Sequence, residues 1–178
     1  MLQTVCEATA IVLSEIESAA GAVNPEDVEA LGRAVAAADG VFITGEGRSG
    51  LVAKCLAMRL MHLGLRAHVV GEAVTPAFGS RSLLIAVSGS GETPLTRTVA
   101  EAALSSGGAV AAVTAAPVSS LARSAGISVV IPIRKSAQFG GSLFEQAALV
   151  VFDSLALVLQ HRLGRSDDEM RSRHATLE

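Results

Sequence analysis

Val41-Phe42-Ile43-Thr44-Gly45-Glu46-Gly47-Arg48-Ser49-Gly50 passes from a short apolar run straight into a glycine-rich turn. Four such residues stopped by glycine predict a strand of a parallel sheet, buried on both faces and so lacking polar alternation. Upstream the period is helical. Leu2, Val5, Cys6, Thr9, Val12, Leu13 and Ile16 recur at helix spacing up to Gly21. Asn24-Pro25-Glu26-Asp27 then supplies an N-cap, a proline for the first helical position and two acids for the first turn, opening a second helix that ends near Asp39-Gly40. Downstream a long helix is expected from about Ser49 to His62, with Gly64 placed to end it. Ala67 to Val70, Leu83 to Val87, Ala109 to Val113 and Ser128 to Ile131 read as further strands. Helical stretches run from Leu95 to Ser105, from Ser119 to Ala125 and from Gly141 to about Leu163, and a short charged helix from Asp167 to Arg173 trails behind. Strands alternating with helices imply an α/β fold, a flavodoxin-like three-layer sandwich with about five parallel strands and helices on both faces. Its ligand is expected at the carboxyl ends of the strands.

Two strand-to-helix turns interrupt this pattern with small residues. Gly45 to Gly50 matches GxGxxG, and Glu72 lies 22 positions after Gly50 at the end of the next strand. That combination is the fingerprint of a dinucleotide site with its ribose-binding acid. The alternative is a tight turn with close helix–strand packing. The second turn, Ser88-Gly89-Ser90-Gly91-Glu92-Thr93-Pro94, offers three hydroxyls, two glycines and a proline for the first helical position. Glycines let backbone N–H groups converge on an anion, the helix N-terminus adds positive potential, and hydroxyls supply donors without lysine. This suits a phosphomonoester, against the alternative of an ordinary N-cap in a flexible turn. GxxxxGK[ST] is absent. A dinucleotide enzyme needs a separate catalytic domain that 178 residues do not provide, so two loops around a small sugar phosphate fit the length better.

Composition narrows the classes further. The length suits one domain over residues 1–178, with N-terminal helices in 1–40, the α/β core in 41–163 and a helical tail in 164–178. Fourteen Lys and Arg against seventeen Asp and Glu, with 3% aromatic residues, provide neither the basic face nor the stacking platforms of a nucleic-acid binder. Cys6 and Cys55 form no disulfide framework, and no Cys/His cluster indicates a metal, so neither metal nor cofactor is expected. No basic segment precedes an early apolar core, and the apolar stretch Ala147 to Leu159 is short and broken by Asp153, so a soluble cytoplasmic protein with no membrane association is expected. Half the residues are hydrophobic, more than so small a chain hides alone, which predicts burial between subunits of a homo-oligomer.

Several segments carry a resemblance. Gly47-Arg48-Ser49-Gly50, Met58-Arg59-Leu60-Met61-His62-Leu63-Gly64, Val70-Gly71-Glu72, Thr75-Pro76, Ser88-Gly89-Ser90-Gly91-Glu92-Thr93, Gly141-Ser142-Leu143-Phe144-Glu145 and the ending Arg173-His174-Ala175-Thr176-Leu177-Glu178 resemble the 6-phospho-3-hexuloisomerases of the sugar isomerase (SIS) family. Glu46 and Pro94 depart from the family's pattern, and the Arg134 to Gly140 segment is short. The resemblance implies interconversion of D-arabino-hex-3-ulose 6-phosphate and D-fructose 6-phosphate through a 2,3-enediol, a step of formaldehyde fixation by the ribulose monophosphate pathway. It also implies a tetramer. Alternatives are another sugar-phosphate isomerase or a non-catalytic sugar-phosphate sensor. Substrate and phosphate would be bound by Gly47, Arg48, Ser49, Ser88, Gly89, Ser90, Gly91, Glu92 and Thr93.

Moving a ketone from C3 to C2 removes the C2 proton and returns one to C3, work for a partly buried carboxylate. The resemblance assigns that role to Glu145. The residues themselves offer another reading, because Ser142-x-x-Glu145 has the form of a capping box with Glu at N3. His174, in the family-like ending, and His62 are candidates for opening the sugar ring, against a frayed tail for the first and a helix-dipole partner for the second. His68 and His161 read as structural. Arg48 is the candidate cation for phosphate or enediolate charge.

Overall fold

A computed structural model describes residues 4–177. Along the chain these form α1 (Val5–Gly21), α2 (Pro25–Ala37), β1 (Gly40–Gly45), α3 (Gly47–His62), β2 (Ala67–Val69), β3 (Ser82–Val87), α4 (Pro94–Ser105), β4 (Ala109–Thr114), α5 (Ser120–Ser124), β5 (Ile127–Val130), α6 (Ser142–Arg162) and α7 (Asp167–Ser172). The five strands are parallel, in the order β2-β1-β3-β4-β5. Leu2, expected in the first helix, lies outside the described residues.

The apolar runs alternate between two cores. Val41, Ile43, Leu83, Ile85, Ala111, Val113 and Val129 face the helical layer of α1, α2, α3 and α6. Their neighbours Phe42, Leu84, Ala86, Val110 and Ala112 meet Ala100 and Ala103 of α4 and Leu121 of α5 on the opposite face. Continuous hydrophobicity along a strand is therefore two-sided burial in a three-layer sandwich. Each fully buried Leu or Ile contributes about 1.5–3 kcal/mol relative to exposure.

Between β2 and β3 no helix forms. The Phe78 ring does a helix's work there, packing edge-on to Phe42 with centroids 5.0 Å apart. A Cβ on Gly108 would lie 2.3 Å from the Phe78 ring, so that glycine makes room for the plug. By length and composition α6 is apolar enough to cross a membrane. Here, however, its stripe of Leu143, Ala147, Val151, Leu155 and Leu159 is buried, and it packs against α1, α2 and α3. Its hydrophobicity is that of a core helix, in the stretch where the sequence predicts a strongly apolar one. The Asp153 carboxylate sits at the surface, 3.7 Å from the Arg59 guanidinium.

Candidate active site

β1 and β3 are neighbours in a register that sets Gly45 opposite Val87. The turns that follow them, 45–50 and 88–93, therefore stand side by side at the carboxyl edge of the sheet. Glycine is required by the close approach of α3: a Cβ on Gly50 would lie 2.4 Å from the Gly45 carbonyl oxygen, and one on Gly45 2.9 Å from that of Val87. Close packing thus accounts for the first and third glycines of the GxGxxG pattern. Glu72 is engaged elsewhere, its carboxylate 3.6 Å from the Lys54 ammonium.

How the helices begin separates the site from the rest of the fold. Side chains of Thr4, Asn24, Ser119 and Ser166 cap α1, α2, α5 and α7. At α3, α4 and α6 no side chain caps the first turn. Those three N-termini meet at one place. The starts of α3 and α6 are joined by the ion pair of Arg48 Nε with Glu145 Oε2. The turn leading into α4 presses Gly89 against Phe144 of α6, where an added Cβ would be 3.1 Å from the ring. First-turn N–H groups lack intrahelical acceptors, so three uncapped starts concentrate donors and positive potential on one crevice.

The 88–93 turn uses only part of its backbone donors internally. Ser88, 2% exposed, shares a 2.9 Å hydrogen bond with the Thr93 hydroxyl, and its Oγ accepts from the Gly91 N–H at 3.1 Å. Thr93 therefore spends its hydroxyl on Ser88 instead of on capping α4. Among the described residues, the N–H groups of Gly89, Ser90 and Thr93 have no hydrogen-bond acceptor. The turn is clamped from below by β4: the Thr114 hydroxyl and the Ala115 N–H both donate to the Gly89 carbonyl, at 3.2 and 3.0 Å. Gly91 adopts φ +64°, and a Cβ there would lie 2.0 Å from Ser119 Oγ.

Glu92 is occupied outside the crevice. Its carboxylate accepts from the Ser120 N–H at 2.6 Å and from Arg97 Nη1 at 3.2 Å. The bond from Ser120 holds the Glu92 carboxyl below its ordinary range, with Arg97 adding to the effect. Glu92 thus ties the turn to the start of α5, its carboxylate shared between Ser120 and Arg97. Thr114 and Ser119, the buried hydroxyls beneath the turn, were not singled out from sequence. The only signal was a hydroxyl closing the β4 run and a serine pair opening α5.

Glu145 does not form the capping box that its spacing from Ser142 allows. Gly141 is the N-cap, so Glu145 falls at N4, one position too late, and the Ser142 hydroxyl donates to the Phe139 carbonyl at 3.0 Å instead. The carboxylate is turned to Arg48, with the Glu145 side chain 11% exposed and the Arg48 side chain 61% exposed. A shielded carboxylate thus lies beside an open guanidinium among uncapped helix starts, an arrangement with the groups that proton transfer next to a bound anion requires.

The two histidines lie elsewhere. His62 is buried at the far end of α3, about 21 Å from Arg48 by helix rise. His174 stacks on it with ring centroids 5.1 Å apart. The tail is docked: Arg173 Nη1 donates to the His62 carbonyl at 3.2 Å, with its guanidinium over Gly64. Within one chain the structure therefore brings Glu145 together with Arg48 and the two turns, but not with His62 or His174. Among the described residues no three His, Cys, Asp or Glu side chains gather as a metal site would require.

The SIS domain model matches residues 35–158. The chain belongs to the SIS domain family. It is 40% identical to a 3-hexulose-6-phosphate isomerase of Mycobacterium gastri, over 94% of this chain and 88% of that one. A Bacillus subtilis (strain 168) protein of the same name is 38% identical over 97% of this chain and 98% of its own. A solved Methanococcus jannaschii protein, for which a 3-hexulose-6-phosphate isomerase function was inferred, matches with TM-score 0.88 at 31% identity, over 97% and 99% of the two chains. The SIS domain match begins inside α2, leaving α1 and α7 as flanking elements.

Proposed function

We propose that this protein is a 3-hexulose-6-phosphate isomerase, interconverting D-arabino-hex-3-ulose 6-phosphate and D-fructose 6-phosphate in the ribulose monophosphate route of formaldehyde fixation. The observation that carries the reading is the meeting of three uncapped helix starts around the Arg48–Glu145 pair, beside a turn that uses only part of its N–H donors internally. Near-full-length similarity to proteins of that name supports the substrate. The substrate phosphate binds at the 88–93 turn and the start of α4, with the Gly47-Arg48-Ser49 segment closing the other side. Glu145 takes the proton from C2, the electrons of the broken C–H bond form the 2,3-enediolate, and the former C3 carbonyl oxygen carries the charge. Arg48 neutralises that oxygen. Transfer of the C2 hydroxyl proton to the C3 oxygen and return of the Glu145 proton to C3 leave the ketone at C2, a hydroxyl at C3 and Glu145 again ionised. The enzyme works in the cytoplasm as a homotetramer, without metal or cofactor.

The His62–His174 pair then serves ring opening at a neighbouring copy's site, since its own Glu145 lies at the other end of α3. Mixing a Glu145→Gln protein with a His174→Ala protein should restore activity that neither has alone; no restoration sinks this assignment. The main test supplies hex-3-ulose 6-phosphate and follows fructose 6-phosphate. Tight binding of the sugar phosphate without turnover would favour a sensor, and turnover only of other sugar phosphates would move the substrate assignment.

A further inference from the structure

Glu15 lies on α1, outside the residues that match the SIS domain, and no step of the reaction uses it. It is half-buried, and its carboxylate gathers three consecutive residues of the segment joining β5 to α6. The Ser136 hydroxyl and the Ala137 N–H each donate to it at 2.7 Å, and Gln138 Nε2 at 3.0 Å. From there short-range hydrogen bonds, joined by the backbone between them, recur along the segment as far as the proposed base. The Gln138 N–H donates to Ser136 Oγ at 2.9 Å, the Ser142 hydroxyl to the Phe139 carbonyl at 3.0 Å, and the Glu145 N–H to the Gly141 carbonyl at 3.2 Å.

This segment needs an outside anchor. It ends in Gly140, at φ +62°, and Gly141, with Phe139 beside them 96% exposed, so between Gln138 and the first buried residues of α6, Leu143 and Phe144, neither core packing nor a capping side chain holds the chain. The start of α6 sets where Glu145 stands, and Glu145 cannot compensate by capping, because its carboxylate points to Arg48. Arg134 and Lys135 of the same segment line a cavity together with Glu15, Ser14 and Ser18 of α1 and Leu143 of α6, so the other charged residues lining that cavity are cationic. The three donors, the Ala137 N–H first, hold the Glu15 carboxyl below its usual range.

We infer that Glu15 is a positioning residue for catalysis, acting through residues 136–141 to fix the first turn of α6 and so aim Glu145 at the substrate carbon. The inference rests on the isomerase reading and deepens it by giving the helix outside the family match a part in the site. A misplacement of about 1 Å at a reacting group costs on the order of 10²-fold in rate, so a slackened anchor has a measurable effect.

The test compares wild type with Glu15→Ala, Glu15→Gln and a Ser136→Ala/Gln138→Ala double variant, each confirmed folded by its thermal transition. In Glu15→Ala, kcat should fall about tenfold or more, with KM within about twofold, because the 88–93 turn is anchored on β4 and α5 and not on α1. Glu15→Gln keeps an acceptor for the Ala137 N–H and should recover part of the loss. Amide hydrogen exchange at 142–145 should quicken in Glu15→Ala while that at 88–93 stays unchanged. If Glu15→Ala does not fold, the double variant, which leaves Glu15 in place, is read by the same criteria. Near-normal kcat in a folded variant, kcat and KM changing together, or unaltered exchange at 142–145 overturns the inference. Wild type that fails to convert hex-3-ulose 6-phosphate overturns the substrate assignment instead, and the exchange comparison still decides whether Glu15 fixes the start of α6.

Discussion

Glu145 had two readings in the sequence, and the structure separates them at the level of one helical position. Because α6 starts at Ser142 and not one residue later, the glutamate is at N4, and its carboxylate meets Arg48 instead of the N-cap amide. Removing its charge therefore should not unfold the first turn. Glu145→Gln is expected to lower kcat by about 10²–10⁴-fold, the usual scale of general-base catalysis, with KM and melting temperature little changed. Solvent-deuterium exchange of the C2 proton should slow in parallel. A Gln variant with near-normal turnover and exchange would remove Glu145 from the mechanism and return it to a structural ion pair.

At the scale of elements, the site is a set of helix starts deprived of caps. Thr93 is the clearest case: it stands at the N-cap of α4, yet its hydroxyl is bonded to Ser88 and leaves the helix N–H groups open. Ser88→Ala and Thr93→Ala should each raise KM for the phosphorylated sugar. Their mutual bond uses one hydroxyl proton of the pair and leaves one for the phosphate. A hydrogen bond to a charged group contributes about 1.5–3 kcal/mol, and water replaces part of it, so an increase of about three- to thirtyfold is expected, with kcat less affected. Loss of thermal stability with unchanged KM would mean that these hydroxyls only shape the turn.

Across the whole molecule, long-range ties depend on ionised carboxylates. Glu15 joins α1 to the segment before α6, and Glu92 joins the 88–93 turn to α5. Hydrogen bonds, from the Ala137 N–H first at Glu15 and the Ser120 N–H first at Glu92, hold both carboxyls below the usual 4.5. In that window the unfolded chain binds more protons than the folded one. The stability these groups contribute is thus complete above about pH 4.5 and lost as pH falls through their folded values. Melting temperature measured from pH 7 to pH 3 should decline below about 4.5, and Glu92→Gln should be less stable at pH 7 with a shallower acid limb. An acid limb unaltered by the substitution would exclude Glu92 as a contributor. Part of the exposed apolar surface lies on two helices: Leu51 (65% exposed), Met58 and Met61 on α3, and Val150, Leu157 (56% exposed) and Val158 on α6. Wild type should keep an oligomeric mass by light scattering in dilute solution, and Leu157→Arg should reduce it. A wild-type monomer, or a charged variant of unchanged mass, would place the contacts elsewhere.

Local signals determined most of the architecture. Val41 to Thr44, Leu83 to Val87 and Ala109 to Val113 were legible as strands because two-sided burial leaves an unbroken apolar run, and Asn24-Pro25 marked a helix start because proline and asparagine act on adjacent backbone. The two glycine-rich turns were legible for the same reason, since they sit at strand ends whatever the rest of the chain does. Tertiary structure alone decided the partners. That Arg48 meets Glu145, 97 residues away, that Glu15 gathers Ser136 to Gln138, and that His62 pairs with His174 away from Glu145 all depend on strand order and helix length. Those are properties of how the layers close on one another, and spacing along the chain does not encode which side chains the closure brings within a hydrogen bond.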